Sequence, residues 1–504
     1  MKIAYFLDIP SGLGGAGNVL LEQAKIMSKI YEVIVVIPCS ETGKMNEEYE
    51  RRCKKAGIRT RAMNYKTAFL PQNIDIIAAM QSTPTIRQFV LTENIDILHS
   101  VQINTAVEIV SRELHVPHLM NIYQLRDEEF CIKDEGIIPT YHSCDSFLYC
   151  NQWNRNWGME SKCIRPAAQA IHYQKIKLNN DNKLKILMLG DVCKRKNHLS
   201  AIQAIEYCKQ KELKVVLTIA GNDCTQYAEE CRRYITCNNL SDRIYMSGFQ
   251  SEIEPLLKDN DCLLCASVDE SFPSSIVEAM AYDLTIISTP VAGVPELLTN
   301  KKNAFICSGF SAYEITKSIK ECIAAYQNQS IEKIHHCAKC TLKKNFSKEV
   351  VREKLNDYYC YMLDKYLNKE NEPRKNYLIF EESLDIYHSF IRNKIDESYI
   401  LQRCFYYAYL KKNLNIGKVY IWGAGKYGKL AKQLLKLLFN RMKLLAYIDS
   451  KKTGEYLGVP VIKSEEIRAD VDYIFLGFAG EKEQVIEQLE GKGFKYNKNI
   501  WIFP

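Results

Sequence analysis

Short apolar runs alternate with amphipathic or polar stretches along the first third of the chain. KIAYFLDI reads as a strand, SGLGGAG as a glycine-rich turn, Asn18 to Ser28 as a helix and YEVIVVIP as a second strand. IDILHS and HVPHLMNIY read as further strands, and FLYC, ending at Cys150, as a weaker one. Buried strands separated by helices predict a parallel sheet covered on both faces. The polar, asparagine-rich stretch KIKLNNDNKL over 175–184 reads as a linker, because it has little to bury.

The rhythm then restarts. LKILMLGD, LKVVLTIAG, RIYMSGF, CLLCAS and LTIISTP are strand candidates, with a helix over 198–210. Residues 346–366 read as a helix rich in tyrosine and charge, and 374–412 as mostly helical. Beyond Asn415–Gly417 a third pattern begins: KVYIWGAGKYGKLAKQLLKLL is strand, glycine turn and helix, followed by strands MKLLAYID and YIFLGFAG. The expected organisation is α/β throughout. It comprises Rossmann-like domains over 1–175 and 184–365, a helical connector over 366–414, and a small Rossmann-like domain over 415–504.

Composition bounds the function. The 504 residues exceed one ordinary core and suit about three domains. With 67 basic and 60 acidic residues the formal charge is +7, and no long basic block suggests a nucleic-acid partner. The first residues lack the pattern of a signal peptide, and no apolar run approaches the roughly 18 residues that span a bilayer. The 19 cysteines then read as scattered free thiols of a cytoplasmic protein. Arg51, Arg52, Lys54, Lys55, Arg59, Arg61 and Lys66 crowd one region. They suggest peripheral contact with an anionic inner membrane face, or an ordinary solvated surface.

Three segments carry candidate chemistry. Gly12, Gly14, Gly15 and Gly17 follow the first strand and form either a tight turn or a loop approaching a phosphate or sugar. In the last domain Gly423, Gly425 and Gly428 complete G-x-G-x-x-G between strand and helix. Asp449 closes the next strand, where a ribose-binding acid would sit. That fingerprint means either a second nucleotide site or a fold retained for structure or assembly. The central segment runs from Glu270 through Ser271, Phe272 and Pro273 to Glu278, Ala279 and Met280. Carboxylates accept hydroxyl hydrogen bonds from sugar and ribose, and helix-start N–H groups hold phosphate oxygens. Two solvated glutamates on an ordinary helix would leave the same pattern. Arg195 and Lys196, at the C-terminal side of the second sheet, would stabilise charge on a leaving diphosphate, or form a solvated basic turn.

Residues 184–300 resemble the donor domain of the GT-B retaining glycosyltransferases of family four, group 1 type. The pattern S-x-x-E-x-F-P-x-x-x-x-E-A-M stands here as Ser267, Glu270, Phe272, Pro273, Glu278, Ala279 and Met280, followed by Gly293-Val294-Pro295-Glu296. With Gly14-Gly15-Ala16 also matching, the resemblance covers about residues 1–365. It implies a GT-B pair of Rossmann-like domains with catalytic Lys196 and Glu270. Glu270 would contact the transferred sugar, Glu278 the ribose, Lys196 the diphosphate, and Gly15, Arg195, Ser271, Phe272 and Pro273 the donor. It further implies a UDP- or GDP-type sugar donor, a saccharide or lipid-linked saccharide acceptor, polysaccharide synthesis and front-face transfer. No D-x-D-like metal pair stands out, so no metal or other cofactor is expected. Two positions depart from the family. Asp191 stands where an arginine is common, and Tyr123 where an acceptor-side histidine is common, with His99 the nearest alternative. A sugar-nucleotide epimerase or hydrolase, or a nonenzymatic assembly subunit, are the competing expectations.

Overall fold

The computed structural model describes residues 1–7, 15–39, 46–65, 76–102, 104–123, 141–157, 160–168, 183–250 and 252–367. It also describes isolated positions between 385 and 414, and residues 416–502 apart from 469, 479–481 and 496–497. Gly12, Gly14, Lys66, most of the expected linker and most of the expected helical connector lie outside the described residues.

Seven strands build the first sheet: β1 (Lys2–Phe6), β2 (Glu32–Pro38), β3 (Arg59–Met63), β4 (Ile97–Val101), β5 (His118–Asn121), β6 (Tyr141–Cys144) and β7 (Glu160–Cys163). Their order is β3-β2-β1-β4-β5-β6-β7, and every pairing is parallel. Alternation along β1 explains the two-sided burial. Ile3, Tyr5 and Leu7 enter one core, while Ala4 and Phe6 enter another on the opposite face.

The second sheet contains β8 (Leu184–Leu189), β9 (Val215–Ala220), β10 (Ile244–Gly248), β11 (Cys262–Cys265), β12 (Thr285–Ser288) and β13 (Phe305–Ile306). It is also all parallel, in the order β10-β9-β8-β11-β12-β13. In both sheets the order reverses beside the first strand, between β1 and β4 and between β8 and β11. The crevice at the strand C-termini there is where open α/β sheets bind ligands.

These two sheets belong to one compact unit and are tied together by the helix Lys348–Leu367. That helix follows the helix Ile331–Phe346 of the second half, yet buries Val351, Leu355, Tyr358, Tyr359 and Met362 in the first core. Tyr359 Oη lies 2.7 Å from Tyr5 Oη and 2.5 Å from His99 Nδ1. Tyr31 donates to Asn356 at 2.6 Å. The paired Rossmann-like sheets make the GT-B arrangement.

A second compact unit carries the third sheet. Its strands are β14 (Gly417–Trp422), β15 (Met442–Ile448), β16 (Gly454–Tyr456), β17 (Val459–Ile462), β18 (Tyr473–Leu476) and β19 (Ile500–Ile502), in the order β16-β17-β15-β14-β18-β19. All pairings are parallel except β16 with β17, a hairpin that hydropathy did not reveal.

Two expectations need correction. FLYC is not a strand but the first turn of the helix Phe147–Trp157, and the strand is the preceding YHSC. The cysteines are not all scattered singly. Cys337 and Cys340 form a C-x-x-C spacing within Ile331–Phe346, with Cys340 Sγ 3.9 Å from His336 Nε2. Four residues of the basic cluster form ion pairs on the surface. Arg51 and Arg52 pair with Glu48 at 2.6 and 2.8 Å, Lys54 with Glu50 at 2.8 Å, and Arg59 with Glu32 and Glu93 at 3.1 and 3.0 Å. Among the described residues, no helix is long and apolar enough to cross a membrane.

Candidate functional site

The second sheet prepares its C-terminal edge with two glycines. Gly190 ends β8 at φ +124, in a region that L side chains rarely adopt. A β-carbon on Gly221 would lie 2.1 Å from the Gly190 carbonyl oxygen, so the two loops approach as closely as glycine permits. The Lys196 stem fills the space over Gly190, its Cε 3.1 Å from where a β-carbon would stand. Lys196 closes the short 3₁₀ turn Lys194–Lys196, and Asn197 turns the chain at φ 58 into the helix His198–Gln210.

This turn brings the predicted cations onto the predicted carboxylate. Lys196 Nζ lies 2.6 Å from Glu270 Oε1, and the Arg195 guanidinium pairs with the same oxygen. Arg195 also donates to the Asp269 carbonyl at 3.1 Å, while its own carbonyl accepts from Val268 N at 2.9 Å. Glu270 Oε1 is taken up by these two cations, so the other carboxylate oxygen is the one left to accept a ligand hydroxyl.

Eight residues on, Glu278 sits half-buried in the helix Ser274–Ala281. Burial raises its pKa, and the charge of Lys196 opposes that rise. Pro273 occupies the N-cap position of this helix, and no side chain caps that end. Its first N–H groups are therefore available to an anion, with the helix dipole in the favourable sense.

Other predicted positions differ in character. The Phe272 ring is 3% exposed and packs on Phe346 with centroids 5.4 Å apart, so it anchors the loop in the core. Gly15 is exposed at the first position of the helix Gly15–Met27, with open space where a β-carbon would project. Asp191 accepts from Asn222 N at 3.2 Å. On the acceptor side, Tyr123 is half-buried against the first core. His99 is fully buried beneath the helix Lys348–Leu367, and burial lowers its pKa to about 3. A neutral ring bonded to Tyr359 serves the core there, which corrects the expectation that it lines the acceptor side.

In the third sheet the fingerprint turn packs closely on its own backbone and on neighbouring side chains. A β-carbon on Gly428 would lie 1.9 Å from the Gly423 carbonyl oxygen, and Gly423 adopts φ +112. Gly425 instead faces open space. Asp449 accepts from Ala424 N at 2.9 Å, Lys451 N at 2.8 Å and Lys452 N at 2.9 Å. Burial alone would raise its pKa, but these donors and the Lys452 charge hold it low. The Lys452 ammonium donates to the Ala424 carbonyl, and Tyr456 donates to the Gly425 carbonyl at 3.1 Å.

The sequence reading missed a group of residues beside Glu270. Asp145, Ser146, Tyr149 and Arg165 come from the first half, and Asp269 and Glu296 from the second. Glu296 belongs to Gly293-Val294-Pro295-Glu296, whose sequence does not show its partners. Asp145 and Ser146 were hidden by reading the next four residues as a strand. Among the described residues, no group of three His, Cys, Asp or Glu side chains is arranged to hold a metal ion.

Residues 171–338 match the family of glycosyl transferases group 1. An uncharacterized glycosyltransferase of Methanocaldococcus jannaschii is 28% identical over 189 residues, covering 36% of this chain and 46% of that protein. The UDP-Gal:alpha-D-GlcNAc-diphosphoundecaprenol alpha-1,3-galactosyltransferase of Escherichia coli is 24% identical over 335 residues, 61% of this chain and 84% of that protein. Among solved structures, Anabaena HepE in complex with UDP superposes with a TM-score of 0.57 at 16% identity, covering 72% of this chain and all of HepE (100%). That likeness concerns the fold. The chain spans less than half the length of the first curated relatives it matches. The group 1 match contains Lys196, Arg195, Glu270, Glu278 and Glu296 together.

Proposed function

We propose that this protein is a retaining glycosyltransferase, moving a sugar from a UDP- or GDP-type donor to a hydroxyl acceptor in cell-envelope or capsular polysaccharide synthesis. The observation that carries the reading is the convergence on Glu270. Lys196 and Arg195 meet its carboxylate in front of the uncapped helix that bears Glu278. In this reading Glu278 accepts from ribose hydroxyls, the amides after Pro273 and the two cations hold the diphosphate, and Glu270 accepts from the transferred sugar. Developing charge on the leaving diphosphate is then met by groups already in position.

Glu270 is a poor nucleophile while two cations hold it. That favours front-face transfer, in which the departing phosphate takes the acceptor proton and the protein orients both substrates. No metal is required in this scheme. The Escherichia coli relative, named for a diphosphoundecaprenol substrate, supports a lipid-linked saccharide as acceptor, at the inner membrane face. Incubation with a panel of nucleotide sugars and acceptors, read by product mass, tests the activity. Magnetic resonance of the product's anomeric proton tests retention. Consumption of a nucleotide sugar without any acceptor would instead identify an epimerase or hydrolase.

A further inference from the structure

The two halves of the first unit meet beside the Glu270 loop through polar contacts made by Asp145, Tyr149 and Glu296, residues to which the donor reading gives no role. Ser271, the residue after Glu270, donates its hydroxyl to the carboxyl of Asp145 at the end of β6. Asp145 is 4% exposed, and its other side-chain partner is the Cys144 thiol at 3.5 Å. On the loop's other side, Tyr149 donates to Asp269 at 2.9 Å. The Ser271 carbonyl accepts from Gly293 N at 2.8 Å. A β-carbon on Gly293 would lie 2.6 Å from that carbonyl oxygen and 3.0 Å from Ser146 Cβ, so the junction admits no side chain there.

Glu296 secures the same junction. Its carboxylate accepts from Ser146 Oγ at 2.7 Å, Phe147 N at 3.0 Å and Leu148 N at 2.9 Å, capping the helix Phe147–Trp157 from across the halves. Arg165, 1% exposed, adds an ion pair at 2.6 Å. A partly buried, multiply satisfied carboxylate of this kind, paired with a buried arginine, fixes one geometry rather than many.

We propose that Asp145 is a positioning residue for the donor loop: through Ser271 it sets where Glu270 stands relative to Lys196 and Arg195. The inference rests on the donor reading above. Its consequence is selective. The loop faces the diphosphate and sugar end, whereas the nucleoside end depends on Glu278 in the helix beyond. Losing the Asp145 anchor therefore weakens recognition of the second phosphate more than recognition of the nucleoside monophosphate.

The test measures UDP, UMP, GDP and GMP binding to the full-length chain by calorimetry, for wild type, Asp145→Ala, Asp145→Asn and Ser271→Ala. For whichever base binds, Asp145→Ala is expected to lower diphosphate affinity about ten-fold, as for loss of one buried hydrogen bond. Monophosphate affinity should stay within about two-fold. Asp145→Asn keeps an acceptor oxygen for Ser271 and should restore most of the loss. Ser271→Ala should reproduce it, and the double variant should be no weaker than either single one. If Asp145→Ala does not fold, Ser271→Ala and Asp145→Asn carry the comparison. Unchanged diphosphate affinity, or equal losses for mono- and diphosphate, would overturn the positioning role while leaving the donor site intact. A wild-type chain that binds none of the four nucleotides overturns the donor reading and this inference with it.

Discussion

Replacing Lys196 with methionine isolates the charge at the centre of the site. The methionine keeps an unbranched stem over Gly190 and removes only the ammonium, 2.6 Å from Glu270 Oε1. The Lys196 side chain is 17% exposed, so its field is screened less than that of Arg195, at 47%. One unit charge about 4 Å from a leaving diphosphate, at an effective dielectric of about 20, contributes about 4 kcal/mol before desolvation. Single preorganised groups removed from comparable sites lower turnover by about 10² to 10³. Lys196→Met is therefore expected to reduce kcat/KM for transfer by about 10²-fold or more. Folding stability should change by only about 1 kcal/mol, because Arg195 still neutralises Glu270. The assay is initial-rate transfer from the nucleotide sugar found by screening, with thermal unfolding in parallel. If kcat/KM stays within about three-fold of wild type while the fold is intact, Lys196 does not stabilise the departing phosphate and the argument from proximity fails.

Three further outcomes follow from other contacts. Glu278→Gln should weaken nucleotide binding by calorimetry without loss of fold, and unchanged affinity would remove Glu278 from the ribose site. Asp145 has its pKa raised to about 7 by burial and by nearby Glu270, against the opposing hydrogen bonds of Ser271 and Cys144. Its protonated form is the one that folding favours. The associated stability is full below about pH 4 and is lost as pH rises through about 7, up to about 4 kcal/mol in all. Relative to Asp145→Asn, the wild type should lose stability across that window in denaturant titrations, and parallel pH dependences would refute the assignment. Gly428→Ala forces a β-carbon onto the Gly423 carbonyl and should lower the unfolding transition of the C-terminal unit in calorimetry, while transfer by the first unit persists.

The parts of the fold legible in sequence were those encoded by local periodicity. Runs such as KIAYFL and CLLCAS are apolar on both faces because helices cover both sides of a parallel sheet, and they announced their strands directly. YHSC did not. All four of its residues are buried, and the polar side chains of His142 and Ser143 are bonded to neighbouring strands and their ends. His142 Nε2, for instance, contacts the Ile122 carbonyl at 3.2 Å. A strand whose burial depends on long-range hydrogen bonds carries little hydropathy signal. FLYC failed for the complementary reason. Its helix start is stabilised by Glu296, some 150 residues away, and the local cap Ser146, whose Oγ accepts from Tyr149 N at 3.4 Å, is a weak signal beside the apolar run that follows it. For the basic cluster, a count of bases leaves out their partners. Within Glu47–Lys55 four basic residues face three acidic ones, and most of the bases are paired.

The candidate site shows the same division. Glu270, Glu278 and Lys196 were legible because one short loop and one short helix carry them, and the spacing is itself the signal. What holds the loop was not legible, since Asp145 and Arg165 belong to the other half of the fold and sit in unremarkable sequence. This bears on the departure at Asp191. A basic residue there would stand beside Gly190, next to the Lys196 stem; here that position carries a carboxylate bonded to Asn222 N instead. The second cation comes from Arg195, anchored by the Asp269 carbonyl and paired with Glu270. Asp269 is in turn held by Tyr149 from the first half. The compensating charge is therefore positioned through the same junction as Glu270, so the loop and its cations answer to one set of contacts between the halves. If Asp145→Ala weakens diphosphate binding as proposed, the interface is part of donor recognition, and the signature of the site lies as much in residues 145–165 as in the glutamate motif.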